Sequence, residues 1–248
     1  MMKSPTAMRP AAGGPMLTRS PNQFLASLPA DDFAQLQPDL RPLRLVQDEV
    51  LFEAGETLTA VYFPHSGIIS KVVHLSDGST VEVALIGHDG VCGGAAVLNG
   101  GISPTTATVQ FPGSASLIDS RRFIAAASRS ETLRLALMKL QWIDFVQAEQ
   151  LAACNASHDI TARLCRRLLR LRDLALSNTL PLTQDLLARM LGVRRNSVSL
   201  VAGALQHAGI IRYSRGQVEI TRVDGLAELA CECYATNKSH ADALNRRD

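Results

Sequence analysis

From Leu182 to His207 the chain reads LTQDLLARMLGVRRNSVSLVAGALQH, with Arg194, Arg195, Asn196, Ser197 and Ser199 crowded at its middle. An arginine fork can bond both acceptors on a guanine edge, and an asparagine amide can do the same for adenine. Hydroxyls and free backbone amides hold phosphates. This set of side chains recognises; it does not make or break bonds. The chain holds no HExxH, GxSxG or nucleotide-loop pattern and no paired acids at an evident cleft, so no enzyme is expected.

Such side chains need rigid elements behind them. Thr183 is suited to cap a helix, with Gln184 and Asp185 in its first turn. Leu186, Leu187, Met190 and Leu191 form an apolar stripe, and Ala188 is small enough for a second helix to cross closely. Gly192 suits the left-handed turn that must follow. A second helix is predicted over about 195–208, with Val198, Val201, Ala202 and Leu205 facing inward. Gly209 ends it. Ile210–Tyr213 and Gln217–Ile220 then read as two short strands around Ser214-Arg215-Gly216. Helix, tight turn, helix and basic hairpin over about 181–222 predict a winged helix-turn-helix, and double-stranded DNA as its partner. Arg195 is the expected base reader, with Asn196 and Ser199 beside it. Arg194, Gln184 and Arg215 are expected on the phosphate backbone, where the hydroxyls of Thr183 and Ser197 could also bind.

Charge follows the same division. Residues 157–225 carry eleven basic and five acidic groups, and residues 21–156 carry eight basic and fourteen acidic groups. A basic module joined to an acidic one fits a polyanion binder attached to something else. Aromatic residues make up only 4% of the chain, which leaves few platforms for stacking single-stranded bases.

The rest of the 248 residues reads as four further parts. Residues 1–20 are rich in Pro, Gly, Ser and Ala and are expected to form a disordered arm. Residues 21–129 begin with a short helix from Asn22. Strands follow at Leu43–Leu45, Val50–Phe52, Val61–Pro64, Ile68–Leu75, Thr80–Ile86, Thr105–Phe111 and Ser114–Ile118, with a hairpin signal at Asp77-Gly78. They predict a β-roll of jelly-roll type. Ser130 is placed to cap a long helix over 130–153. It is apolar on two faces: Leu133, Leu137 and Leu140 lie on one, and Leu135, Met138 and Trp142 extend the other. The roll could cover one face and a second copy of the chain the other, which makes this the expected dimerisation helix. An arginine-rich helix from about Ser157 is expected to present a solvated face. Residues 154–225 make up the DNA-binding domain and 226–248 a C-terminal extension. The fold class is α+β.

Five cysteines, Cys92, Cys154, Cys165, Cys231 and Cys233, show no zinc-ligand spacing, and Cys231-Glu232-Cys233 is tighter than CxxC. Packed reduced thiols in a cytoplasmic protein are expected, with no metal; a redox-sensing role is the alternative. No apolar run spans a membrane.

Over LTQDLLARMLGVRRNSVSLVAGALQHAGIIRYSRGQVEI the chain resembles the Crp/Fnr family of bacterial transcription regulators, and more loosely so from about residue 23. The resemblance implies a cyclic-nucleotide-binding-like roll, a dimerisation helix and a DNA-reading winged helix, with RNA polymerase as a partner if the chain activates. Family members often carry a glutamate after the recognition-helix arginine and a second arginine four residues later; Asn196 and Leu200 stand there. Cyclic-nucleotide binders of the family also carry a Gly-Glu pair and an arginine before Ser/Thr-Ala. The matching tract, GVCGGAAVLNGGISPTTATVQF, has Thr105 in the arginine's place, and no charged residue lies between Gly90 and Ile118. A buried phosphate without a cation is costly, so cAMP is not the expected effector. His65, His74 and His88 leave haem ligation open, and a cyclic-nucleotide-dependent sensor remains the alternative. No cofactor is identified.

Overall fold

The computed structural model describes residues 20–245, so the expected arm, apart from Ser20, lies outside the described residues. Two short helices open the fold, α1 (Gln23–Ser27) and α2 (Ala30–Leu36), where the sequence suggested one. Pro29 separates them: Leu28 before it is extended (ψ 147°), as a residue preceding proline must be. Asn22 is fully buried and anchors the start. Its side-chain oxygen accepts from the Leu25 amide at 3.1 Å, and its amide nitrogen donates to the carbonyls of Pro64 and Gly90, each at 2.9 Å.

The roll is an antiparallel sheet of β1 (Arg41–Leu45), β2 (Val50–Phe52), β3 (Ala60–His74), β4 (Thr80–Ile86) and β5 (Thr106–Asp119), with α3 (Gly94–Leu98) between the last two. The order is β1-β5-β3-β4, and β2 also pairs with β5. Four segments expected as separate strands are two long bent ones, β3 and β5. Their register shifts between Pro64 and Ile69, where the two strands run very close. A Cβ on Gly67, at φ +80°, would lie 2.6 Å from the Phe111 carbonyl oxygen, and one on Gly113 would collide with the Ser66 carbonyl. Glycine at both positions lets the strands bend through the bulge without breaking. The roll's core includes the rings of Phe24, Phe63 and Phe123, with centroids 6.3 Å and 6.1 Å apart along the series.

Phe123 belongs to α4 (Ser120–Arg129), and the long helix α5 (Glu131–Ser157) follows. Ser130 caps α5 by accepting the Leu133 amide at 2.9 Å. Leu133 and Leu137 are buried against the roll, whereas Leu135, Met138, Trp142 and Phe145 are 52–67% exposed. Their three-four-three spacing forms one continuous stripe, the seam pattern of a coiled coil.

The remainder comprises α6 (Ile160–Ala175), β6 (Thr179–Leu180), α7 (Gln184–Leu191), α8 (Arg195–His207), β7 (Ile211–Ser214), β8 (Gln217–Ile220), α9 (Val223–Leu229) and α10 (Cys233–Asn245). Leu164, Leu168 and Leu171 of α6 pack with Leu187 and Leu191 of α7 and with Val198 and Leu205 of α8. Ile68 and Phe111 of the roll belong to this same second core. No described helix is long and apolar enough to cross a membrane.

The solvated face expected for the arginine-rich helix is not found. Arg166 and Arg167 are buried at 6% and 5% exposure. Arg167 pairs with Glu82 of β4, which also accepts from the Ser70 hydroxyl at 2.8 Å. Burial and the nearby Arg170 pull the Arg167 guanidinium down to about 10, still charged at neutral pH. Arg170 meets Asp89 at 2.8 Å, and Arg163 donates to the Leu191 carbonyl. Segment charge alone did not reveal this because the acidic partners lie on the roll, 81 residues away in the case of Asp89. Removing one member of a buried pair strands the other. Glu82→Ala should therefore destabilise the protein by about 3–5 kcal/mol, and Glu82→Leu with Arg167→Met should recover most of that loss. Urea unfolding of the single and double variants measures both.

Candidate nucleic-acid interface

The interface is built from the turn outward. Thr183 caps α7, its hydroxyl oxygen accepting the Leu186 amide at 3.1 Å. Gly192 ends that helix at φ +62°, and the Val193 amide donates back to the Ala188 carbonyl at 3.0 Å. Ala188 is buried at this crossing beside the fully buried Val198 of α8. Arg194 stands at the N-cap of α8 with no side-chain cap bond, so part of the first turn's amides face outward unclaimed. The Ser197 amide is already bonded to the Arg194 carbonyl, leaving its exposed hydroxyl as the group on offer.

Arg194, Arg195 and Asn196 are exposed together on this end. Arg195 sits 3.5 Å from Asp185, a pair open to water that DNA phosphates or bases can displace cheaply. Ser199 and Gln184 do not project separately. The Ser199 hydroxyl donates to Gln184 Oε1 at 2.6 Å and ties α8 to α7. One turn beyond Asn196, Leu200 is 77% exposed.

The wing is a hairpin in which Ser214 pairs with Gln217. Its two central residues, Arg215 at φ +49° and Gly216 at φ +76°, give the left-handed pair of a two-residue turn matched to strand twist. Arg215 thus holds a conformation usually left to Gly or Asn, on the exposed tip. A Cβ on Gly216 would lie 3.5 Å from the Thr183 methyl, so the tip stands beside the start of α7. The Tyr213 amide donates to Gln206 Oε1 at 2.7 Å and fixes the wing to α8. The strand β6, two residues long, completes the order β6-β8-β7; at that length it left no alternation to read in the sequence.

The chain matches two family models, the cyclic nucleotide-binding domain over residues 42–130 and the Crp-like helix-turn-helix domain over residues 162–229. Together they span well over half of it. The chain belongs to the Crp/Fnr family. It is a DNA-binding transcription regulator of that type. Similar solved structures include FixK2 from Bradyrhizobium japonicum, 19% identical, covering 77% of this chain and 98% of that one at a TM-score of 0.67. A transcriptional regulator of the CRP family from Thermus thermophilus, TTHB099, is 20% identical, with coverages of 75% and 95% and a TM-score of 0.64. The c-di-GMP responsive regulator CLP of Xanthomonas campestris is 18% identical, with coverages of 77% and 99% and a TM-score of 0.64. These likenesses show the α+β fold of roll, long helix and winged helix. No curated protein sequence matches significantly.

In this Crp/Fnr chain two hydroxyls at the end of the tract from Gly90 to Thr106 are engaged by neighbouring groups. The Ser103 hydroxyl donates to the Thr105 carbonyl at 2.7 Å, and the Thr106 hydroxyl donates to Glu53 at 3.0 Å. Glu53 thus brings a carboxylate to the edge of this uncharged tract. The three roll histidines point to different neighbours: His65 to Ser116 at 2.9 Å, His74 to Thr106 at 3.1 Å and His88 to the Leu174 carbonyl at 3.3 Å. Burial lowers the pKa of His65. A cleft of about 690 Å³ opens elsewhere, between β4, α5, α6 and α10.

Gly192→Val should cost about 1–2 kcal/mol, because a β-branched side chain resists the left-handed turn. Gly203→Ala, in open space on α8, should instead stabilise by about 0.5–1 kcal/mol. Thermal unfolding of the two variants reads the opposite signs.

Proposed function

We propose that the chain binds a two-fold symmetric operator as a homodimer in the cytoplasm, with α8 as recognition helix, and has no enzymatic activity. The observation that carries this reading is the convergence of Arg194, Arg195 and Asn196 on an open helix N-terminus, with the Arg215 wing tip beside α7. Arg195 reads guanine; Asn196 reads adenine; Leu200 lies where a thymine methyl can pack. Arg194, Thr183, Gln184, Ser197 and Arg215 hold the backbone on either side, and Ser199 positions Gln184. The exposed stripe Leu135–Met138–Trp142–Phe145 is the dimer seam. Two copies joined along it would present two recognition helices about one DNA turn, roughly 34 Å, apart. If the regulator activates, RNA polymerase is its further partner.

Selection from a random duplex pool tests the reading. A symmetric site should be enriched without added effector. Arg195→Ala should lose about 1–3 kcal/mol on that site while keeping nonspecific affinity, and Arg215→Ala should weaken all sequences alike and lower the salt slope by about one. Equal loss on every sequence for Arg195→Ala would remove it from base reading. Trp142→Glu should turn dimer into monomer in sedimentation, with loss of the symmetric site.

The match to the cyclic nucleotide-binding domain favours one competing reading, a nucleotide-dependent sensor. Calorimetry separates the two: micromolar binding of cAMP or cGMP would establish the sensor, and silence would leave the effector to a different chemistry.

A further inference from the structure

Away from the DNA-facing surface, the last turn of α5 meets the link between α9 and α10. Cys154 and His158 lie four residues apart and therefore on one face. The His158 amide, donating to the Cys154 carbonyl at 3.0 Å, holds that turn closed. Cys231 and Cys233 arrive from a segment 77 residues further on. A turn closed by the Tyr234 amide on the Cys231 carbonyl, at 3.2 Å, brings both sulfurs to the same side. The three sulfurs and a ring nitrogen of His158 all lie within 4.8 Å of one another. The Cys154 and Cys231 sulfurs are 3.5 Å apart, and Cys233 Sγ is 3.5 Å from His158 Nδ1. Ligand atoms around a tetrahedral zinc, with bonds of about 2.3 Å to sulfur, stand roughly 3.8 Å apart.

We propose that Cys154, His158, Cys231 and Cys233 form a site for one thiophilic divalent cation, zinc in type. Three features of the surroundings carry this beyond simple proximity. First, His158 Nε2 lies 3.2 Å from Glu232 Oε1, which leaves Nδ1 turned to the sulfurs; a carboxylate behind a histidine is the usual support of a metal-bound imidazole. Second, the Gln150 side-chain amide donates to Cys233 Sγ at 3.0 Å and holds that sulfur in place from outside the cluster. Third, the three cysteines belong to neither large core. They form a buried cluster of their own, with Ala162 the partly buried hydrophobic packed on it among the described residues, whereas Cys92 and Cys165 sit inside the main cores as ordinary apolar filler. Three thiolates and one imidazole make a closed, sulfur-rich set that selects zinc over magnesium or calcium.

The sequence expectation of no metal is revised on these grounds. Spacing within each segment is indeed unlike a zinc motif; the site exists only where two distant segments fold together. Its place matters too. His158 is the C-cap of α5, at the joint leading to α6, and Cys231 follows α9. Metal entry, which releases the thiol protons to solvent, would staple the end of the long helix to the DNA-binding part of the chain.

The test uses the full chain, reduced and stripped by chelator, titrated with Co(II) and then Zn(II). One equivalent per chain should bind, giving intense visible bands of a tetrahedral centre with sulfur-to-cobalt charge transfer, and zinc should bleach them. Cys231→Ser and His158→Ala should abolish or shift that spectrum; Cys165→Ser should leave it intact. Glu232→Gln, at a side chain 73% exposed and so tolerant of change, should lower affinity about tenfold. If a ligand variant fails to fold, the wild-type cobalt spectrum still reads the number of sulfurs. Weak octahedral bands, a cobalt spectrum left unchanged by Cys231→Ser, or a Cys154–Cys231 disulfide with no metal uptake would each overturn the proposal. So would a purified protein whose visible absorption belongs to an iron–sulfur cluster.

Discussion

The ion pair between Arg167 and Glu82 is the constraint on which the arrangement rests. Both side chains are almost wholly buried, at 6% and 4% exposure. Burying two charges is costly, and pairing them offsets part of that cost. Glu82 is fixed from the roll side by Ser70, and Arg167 comes from the first helix of the DNA-binding domain. Separating the two halves would break this pair and would also expose the apolar side chains of the seam to water. Around the pair, Ile68 and Phe111 complete a hydrophobic core that belongs mostly to the other domain.

The winged helix-turn-helix was legible in the sequence because its determinants are local. Thr183, Gly192, Val198 and Gly209 each act within a few residues of their position, through a cap, a turn or a buried stripe. The hairpin at Asp77-Gly78 was legible for the same reason. What the sequence could not disclose depends on distant segments meeting. The merging of four short strands into two follows from the close crossing at Gly67 and Gly113, which no local period encodes. The burial of α6 arginines depends on acids from the roll. The cysteine–histidine cluster draws on two chain segments, neither of which carries a motif.

These same facts revise the meaning of the charge asymmetry. Part of the positive excess of residues 157–225 is neutralised internally, by Glu82 and Asp89. Arg194, Arg195 and Arg215 stay exposed, on short rigid elements. α8, the turn at the wing and the Tyr213–Gln206 bond hold these side chains in place.

The first helix of the DNA-reading pair does not stand free. Met190 of α7 is buried, and its sulfur accepts from Gln110 of β5 at 3.6 Å. Thermodynamic reciprocity follows from that contact. A ligand that alters how β5 carries α7 changes the affinity for an operator by some factor, and the operator must change the ligand's affinity by the same factor. Promoter occupancy would then be felt in the roll as surely as the roll is felt at the promoter.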